Sequence, residues 1–219
     1  MDIAMTVLLP MLMAYSLIGE KFHEIIGTLM FALFILHHVL NRKWYGAIFK
    51  GKYNTRRTFL TALDAFLIVF MIEQPVGGML MSKHLYTFIQ IQGISAAVRE
   101  IHLCLAYWGF VILCIHAGTH LTASLKSLKE KKRIVFYFLT VIGTAVSIYG
   151  IHAFNKRQIP DYMLRKTVFA FFDYSEPRIL FFLDYLAIMI LFISVGCVAV
   201  MGLACLDRKI TMRKGGEAK

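Results

Sequence analysis

FHEIIGTLMFALFILHHVL, residues 22–40, is a largely apolar run with a histidine near each end. A transmembrane helix needs roughly 20 mostly apolar residues, so this run reads as a membrane span. His23 and His37 lie 14 residues apart. At ~100° per residue, that spacing falls about 40° short of four full turns, so both side chains leave from nearly one face. The rise between them is about 21 Å, which puts one histidine toward each side of the hydrocarbon. A second run, IHLCLAYWGFVILCIH (101–116), repeats the spacing with His102 and His116.

The rest of the chain has the same character. Its 219 residues are 58% hydrophobic and 17% charged, with a mean hydropathy of +0.66. Soluble domains are nearer 45–50% apolar and about 25% charged. Disorder is excluded by the amount of apolar surface. A disulfide-stapled mini-protein is excluded by four Cys in a chain of this length. The net charge of +11 does not indicate a nucleic-acid partner, because the apolar residues come in membrane-length runs.

Six spans are expected, at about Ile3–Ile18, Phe22–Leu40, Phe59–Ile72, Ile101–Leu121, Ile134–Ile151 and Ile179–Leu206. The fold expected is therefore an all-α integral membrane bundle forming one domain over 1–219. Its four-helix core would lie at about 1–122, with additional spans at about 134–151 and 179–206. The third span is short and can extend to Leu80, with Gln74-Pro75-Val76-Gly77-Gly78 read as its break. The first run lacks a basic n-region and a clear small-residue cleavage site, so it reads as a span rather than a signal peptide.

The basic residues then orient the bundle. Arg42, Lys43, Lys50, Lys52, Arg56 and Arg57 fall in 41–58, and Lys126, Lys129, Lys131, Lys132 and Arg133 in the 122–135 loop. Arg208, Lys209, Arg213, Lys214 and Lys219 fall in the tail, so sixteen of the 24 share one side. The positive-inside rule makes that side, with both termini, cytoplasmic, in a cell inner (cytoplasmic) membrane. Two outer stretches, 76–100 and 152–178, mix aromatic and polar residues. Val168–Tyr174 reads as an interfacial element lying on the membrane.

With this topology the second and fourth spans run parallel. His23 and His102 share the outer level, and His37 and His116 the inner level. Each pair is spaced to hold a metal macrocycle from both faces. Bis-histidine ligation leaves no open axial position and suits electron-transfer haem. There is no C-x-x-C-H, so the expected cofactors are two b-type haems, with the iron on His23, His37, His102 and His116. Gly27, Gly109 and Gly118 are small residues that would let a flat ring approach. His38 and His120 are the competing ligands, with a propionate contact or a surface role suiting His120 better. His84 and His152 read as surface residues. Cys104, Cys114, Cys197 and Cys205 read as small packing residues. Lys21 and Arg99 flank the outer pair, and Asn41, Arg42 and Lys43 the inner His37, as candidate propionate contacts. Glu24, Glu73, Asp64 and Asp184 are carboxylates in or beside spans, either paired at span ends or acting as proton relays beside a quinone.

Two stretches carry a family resemblance. HEIIGTLMFALFILHHVLNRKWY (23–45) resembles the H-x-x-x-G … H-x-x-x-N-x-x-W stretch of the flavinylation-associated membrane cytochromes, formerly a domain of unknown function. HLCLAYWGFVILCIHAGTH (102–120) resembles the same family's H-x13-H-x-G-x-H stretch. The likeness covers about residues 1–122 and extends more widely to di-haem cytochrome b bundles. It implies electron transfer across the membrane between the quinone pool and an extracytoplasmic redox partner, which in that family is often flavin-bearing. His23, His37, His102 and His116 match the ligand positions. Enzymatic quinol oxidation is left open. The alternatives are a haem-bearing anchor subunit of a larger oxidoreductase, a histidine-lined metal transporter, and an anchor without haem. A transporter needs histidines at graded depths along a wet path, rather than at two matched levels.

Overall fold

In the computed structural model, which describes residues 1–89 and 95–216, every regular element is helical. The elements are α1 (Asp2–Met13), α2 (Tyr15–Ile18), α3 (Glu20–Leu40), α4 (Lys43–Ile48), α5 (Thr55–Met81), α6 (Ser95–Lys131), α7 (Arg133–Lys156), α8 (Ile159–Met163) and α9 (Arg178–Gly216), with a 3-10 turn at Thr87–Ile89. Among the described residues there is no strand, as expected where a bilayer leaves the backbone to satisfy itself. Residues 90–94 of the outer stretch 76–100, and Lys219 of the basic tail, lie outside the described residues.

Five helices are long and apolar enough to cross a membrane: α3, α5, α6, α7 and α9. The first run does not form a sixth of that kind. It is interrupted at Ala14 into the 12-residue α1 and the four-residue α2. Pro10 lies within α1 and leaves one of its turns without a donor. Even so, Asp2 lies beside His37 and Tyr15 beside His23. The broken pair therefore runs antiparallel to α3 along the full depth between its two histidines.

Two other expectations change. The break at Gln74–Gly78 does not occur, and α5 continues through Pro75 to Met81. Docking of this turn against α6 holds it helical despite the missing donor. The 122–135 loop is almost entirely helix, since α6 runs to Lys131 and α7 starts at Arg133, with only Lys132 between them. Its basic residues ride on helices that project beyond the span. The ends match up as the alternation requires. Asp207 on α9 accepts from the Thr55 and Arg56 amides at 3.0 Å each, capping the first turn of α5. Asn54 Oδ1 completes the cap by accepting from the Arg57 amide.

One buried apolar cluster links α1, α3, α6, α8 and α9, with Ala153 of α7. The tightest packing is α7 on α9 on α6. A Cβ on Gly118 would overlap the Ile193 carbonyl, on Gly196 the Ile115 carbonyl, and on Gly150 the Ala187 carbonyl. Backbones meet directly there, as in small-residue helix contacts in membranes. Gly118 is thus used against α9 and does not make room for a macrocycle. Gly27 and Gly109 face Leu12 of α1 and Phe70 of α5 at ordinary contact distance. On the outside, α7 exposes Ile134, Phe138, Val141 and Ile148, and α3 exposes Phe22, Leu29 and Leu40. Exposed apolar surface on this scale suits a lipid environment.

Gly118→Val should lower the unfolding midpoint in detergent, by the equivalent of about 1–3 kcal/mol. Gly143→Ala, where the added methyl meets open space, should leave it unchanged or slightly raised. Equal midpoints for the two variants would show that the α6–α9 backbone contact contributes nothing.

Candidate functional site

The outer level brings its two histidines together. The ring centres of His23 and His102 are 6.4 Å apart, with planes at 74°. Nδ1 of each is buried, with the Leu12 backbone within hydrogen-bonding reach of the His23 ring and the Gln74 backbone within reach of the His102 ring. Tyr15 lies edge-on to His23 at 5.2 Å. His102 is cradled by α5, where a Cβ on Gly77 would sit 3.2 Å from its Nδ1. Gln74 Nε2 donates to the His102 carbonyl at 3.1 Å and to Glu73 Oε2 at 2.9 Å. The segment read as a helix break is thus the seat of the His102 ring. Its glycine pair was the available signal.

Glu24 closes this level from above. Its carboxylate accepts from the Ser82 hydroxyl at 2.7 Å, from the Lys83 and Leu85 amides at 2.8 Å, and from the His84 amide at 3.3 Å. One carboxylate on α3 therefore folds the 82–86 turn back beside His23. Its partners are a hydroxyl and backbone amides, which no spacing rule reveals. Lys21 and Arg99 are exposed at the outer end and form no ion pair among the described residues.

The inner level is arranged differently. His37 Nδ1 is 3.2 Å from Asp2 Oδ1, and His116 Nδ1 is 3.0 Å from Asp64 Oδ1 but off the hydrogen-bond axis. Each ring thus has an acid at one nitrogen, the arrangement by which proteins orient ligating imidazoles. His37 and His116 do not form the ring-on-ring contact seen at the outer level. His120 packs 4.7 Å from His116 and is exposed. His38 is held by the Tyr45 hydroxyl at 2.7 Å and by the Phe34 ring. A cavity of about 300 Å³ adjoins this level, lined by Trp44, Arg56, Arg57, Asp64 and His120 among others. Arg57 is spent on the carbonyls of Ala47, Ile48 and Lys52. Arg56 therefore offers the available guanidinium. Arg42 is exposed at the start of α4 and does not line the cavity. Asp2, absent from the sequence-derived candidates, is the main addition here.

Asp184 resolves as a buried anion in the outer half of α9. It accepts from Tyr149 Oη, from Lys156 Nζ at 3.0 Å and from Arg157 Nε at 2.8 Å. The same two cations bind Glu176, at 2.7 and 2.6 Å, and hold its carboxyl below the usual carboxylate range. This network pins the 157–178 segment to α7 and α9. Residues 168–174 are irregular, not helical, with Phe169, Phe171 and Tyr174 exposed. His84 and His152 are exposed, as expected. Cys104, Cys114 and Cys197 are buried and free, whereas Cys205 is exposed.

Among the described residues no group of three or more His, Cys, Asp or Glu is gathered to hold a bare metal ion. Two-ligand clamping is a separate question, and the outer pair has a ring separation in its range. Metal–imidazole bonds are about 2.0–2.1 Å. Adding roughly an ångström from each nitrogen to its ring centre, one metal between two rings sets the centres about 6 Å apart. The comparisons give no further guide: the chain matches no protein-family model, no curated protein and no solved structure.

Glu24→Gln should replace an accepting oxygen with a donor facing backbone N–H groups. Amide exchange at Lys83 and Leu85 should accelerate at least about tenfold, the scale of a lost charge-assisted hydrogen bond. Exchange in α7 should be unchanged. Unaltered protection at 83–85 would show that another contact holds the turn.

Proposed function

We propose that this protein is a di-haem b-type membrane cytochrome that carries electrons across the bilayer. The observation that carries the reading is the facing His23–His102 pair, 6.4 Å between ring centres with planes at 74°. His23 and His102 would hold one haem, and His37 and His116 the other. The bound group supplies one-electron transfer, and the protein supplies ligation and tuning. Around it, Gly77 leaves room for the His102 ring, Asp2 and Asp64 orient the inner imidazoles, Arg56 offers charge to propionate carboxylates and His120 a hydrogen bond.

Six crossings support this arrangement, the broken α1–α2 pair being the first. The alignment of Asp2 with His37 and Tyr15 with His23 favours that count. The basic end, with both termini, is then cytoplasmic. The membrane quinone pool on one side and an extracytoplasmic redox protein, in flavin-bearing form or as a partner subunit, on the other are the partners this reading takes. A haem-bearing anchor subunit is the second reading, favoured by the exposed aromatic segment 168–174. The histidine-lined transporter has less support, since among the described residues no group of three or more His, Cys, Asp or Glu is gathered to hold an ion.

Protein purified from haem-replete cells should be red, with low-spin bis-histidine spectra and two haems per chain. His23→Ala and His102→Ala should each lose the same haem, and His37→Ala and His116→Ala the other. Gly77→Val, which crowds the His102 ring, should perturb the outer haem alone. A colourless preparation would overturn the proposal. Loss of the inner haem from His38→Ala but not His37→Ala would overturn the ligand assignment.

A further inference from the structure

The short helix α4 and the turn after it form a built structure at the inner end, between α3, which ends at Leu40, and α5, which starts at Thr55. Arg57 organises it. Its Nη2 donates to the Ala47 carbonyl at 2.6 Å and the Ile48 carbonyl at 3.4 Å, and its Nη1 to the Lys52 carbonyl at 3.3 Å. The guanidinium lies 4.2 Å from the centre of the Tyr53 ring. The Tyr53 hydroxyl donates to the Ile48 carbonyl at 2.6 Å. Gly51 makes the reversal with a left-handed φ of 78°, where a side chain would be strained. Carbonyls that the end of a short helix leaves open are closed in this way. The tip, Phe49-Lys50-Gly51-Lys52, therefore has a fixed shape.

What the tip presents is one aromatic ring among cations. Phe49 is 91% exposed, more than any other large apolar side chain among the described residues. Arg42, Lys43, Lys50 and Lys52 are exposed and form no ion pair among the described residues. No acid lies between 41 and 58 to neutralise them. Other cations at this end have aromatic partners, Lys129 over Phe136 and Arg133 over Tyr137. The positive-inside rule asks only for charge on this side. It does not account for a fixed turn that projects a phenylalanine. Depth does. Arg57 stands in the first turn of α5, so the tip is held within one arginine's reach of the end of that span. The headgroup layer outside the hydrocarbon is about 5–7 Å deep on each side, which places the tip in or beside it.

We infer that the Phe49–Lys52 tip is a docking element for anionic phospholipid in the leaflet on that side. The Phe49 ring enters the boundary between headgroups and acyl chains, as apolar side chains of interfacial elements do. Lys50 and Lys52, with Arg42 and Lys43 behind them, attract the phosphates. A zwitterionic headgroup carries an amine that cancels its phosphate charge, so the cations select a lipid of net negative charge. The inference stands apart from the proposed function, since no residue of the tip belongs to either histidine level.

The test uses the full chain in nanodiscs of equimolar phosphatidylglycerol and phosphatidylcholine, with photoreactive p-benzoylphenylalanine in place of Phe49. Irradiation should cross-link the tip to lipid. Phosphatidylglycerol adducts should exceed phosphatidylcholine adducts at least about fivefold, the factor of one basic residue at an anionic surface. Lys50→Gln combined with Lys52→Gln should keep the lipid adducts and lower that preference at least about threefold. Both side chains are exposed, so the unfolding midpoint should not move. Lys126→Gln combined with Lys129→Gln, on α6, should leave the preference as it was. A tip without lipid adducts, cross-links to a second copy of the chain in their place, or equal yields of the two lipids would overturn the inference. A preference that survives neutralisation of Lys50 and Lys52 would overturn it as well.

Discussion

A bilayer supplies no water to a buried polar group, and the polar residues of this chain are arranged around that constraint. Most backbone groups in the apolar runs are closed by helix formation, the turns at Pro10 and Pro75 and the break at Ala14 being the exceptions. The buried side chains are closed by specific partners. Asp184 takes a phenol, a lysine and an arginine. Glu24 takes a hydroxyl and three amides of one turn. Against this background the histidines of the apolar helices stand out: His23 and His102 face each other with buried Nδ1 atoms, and His116 has Asp64 beside it. A hydrocarbon setting penalises polar rings, and histidines in such helices ordinarily face a bundle interior, as these do.

The bundle divides the work between a rigid part and an adaptable one. The α7–α9–α6 slab is held by carbonyls lying against glycines, a contact that admits almost no side-chain adjustment. It fixes His102 and His116 on one inflexible helix. The α1–α3 side is looser, with a helix interrupted at Ala14 and largely exposed faces. His23 and His37 ride on that side. Ties at the ends, Glu24 to the 82–86 turn that follows α5 and Asp2 to His37, hold α3 to α5 and to α1. A planar group inserted between the two sides would meet one fixed wall and one able to accommodate it.

Much of this was legible in the sequence. The 14-residue histidine spacing, the segregation of basic residues and the helical class all follow from period and composition. What could not be read depends on contacts between distant segments. Pro75 reads as a break because local rules count a missing donor, yet packing of the same turn against His102 outweighs that loss. Gly118 reads as space for a ring because sequence cannot say which neighbour a glycine faces, and the neighbour is the Ile193 carbonyl. Asp2 escaped notice because it sits 35 residues from the histidine it touches, at a chain end where acids are usually solvated.

The two histidine levels share a spacing but not an environment. The outer pair is enclosed by Tyr15, Gly77 and the Glu24-bound turn, and no acid touches its ring nitrogens. The inner pair is backed by Asp2 and Asp64 and opens toward a cavity with two arginines on its wall. A carboxylate beside an imidazole increases the ring's electron donation to whatever it ligates. In a medium of low dielectric such a charge acts with little screening. Two sites built on the same pair of helices, and equal by spacing, are therefore unequal in electrostatics. The inequality is set by residues outside the repeated histidine pattern.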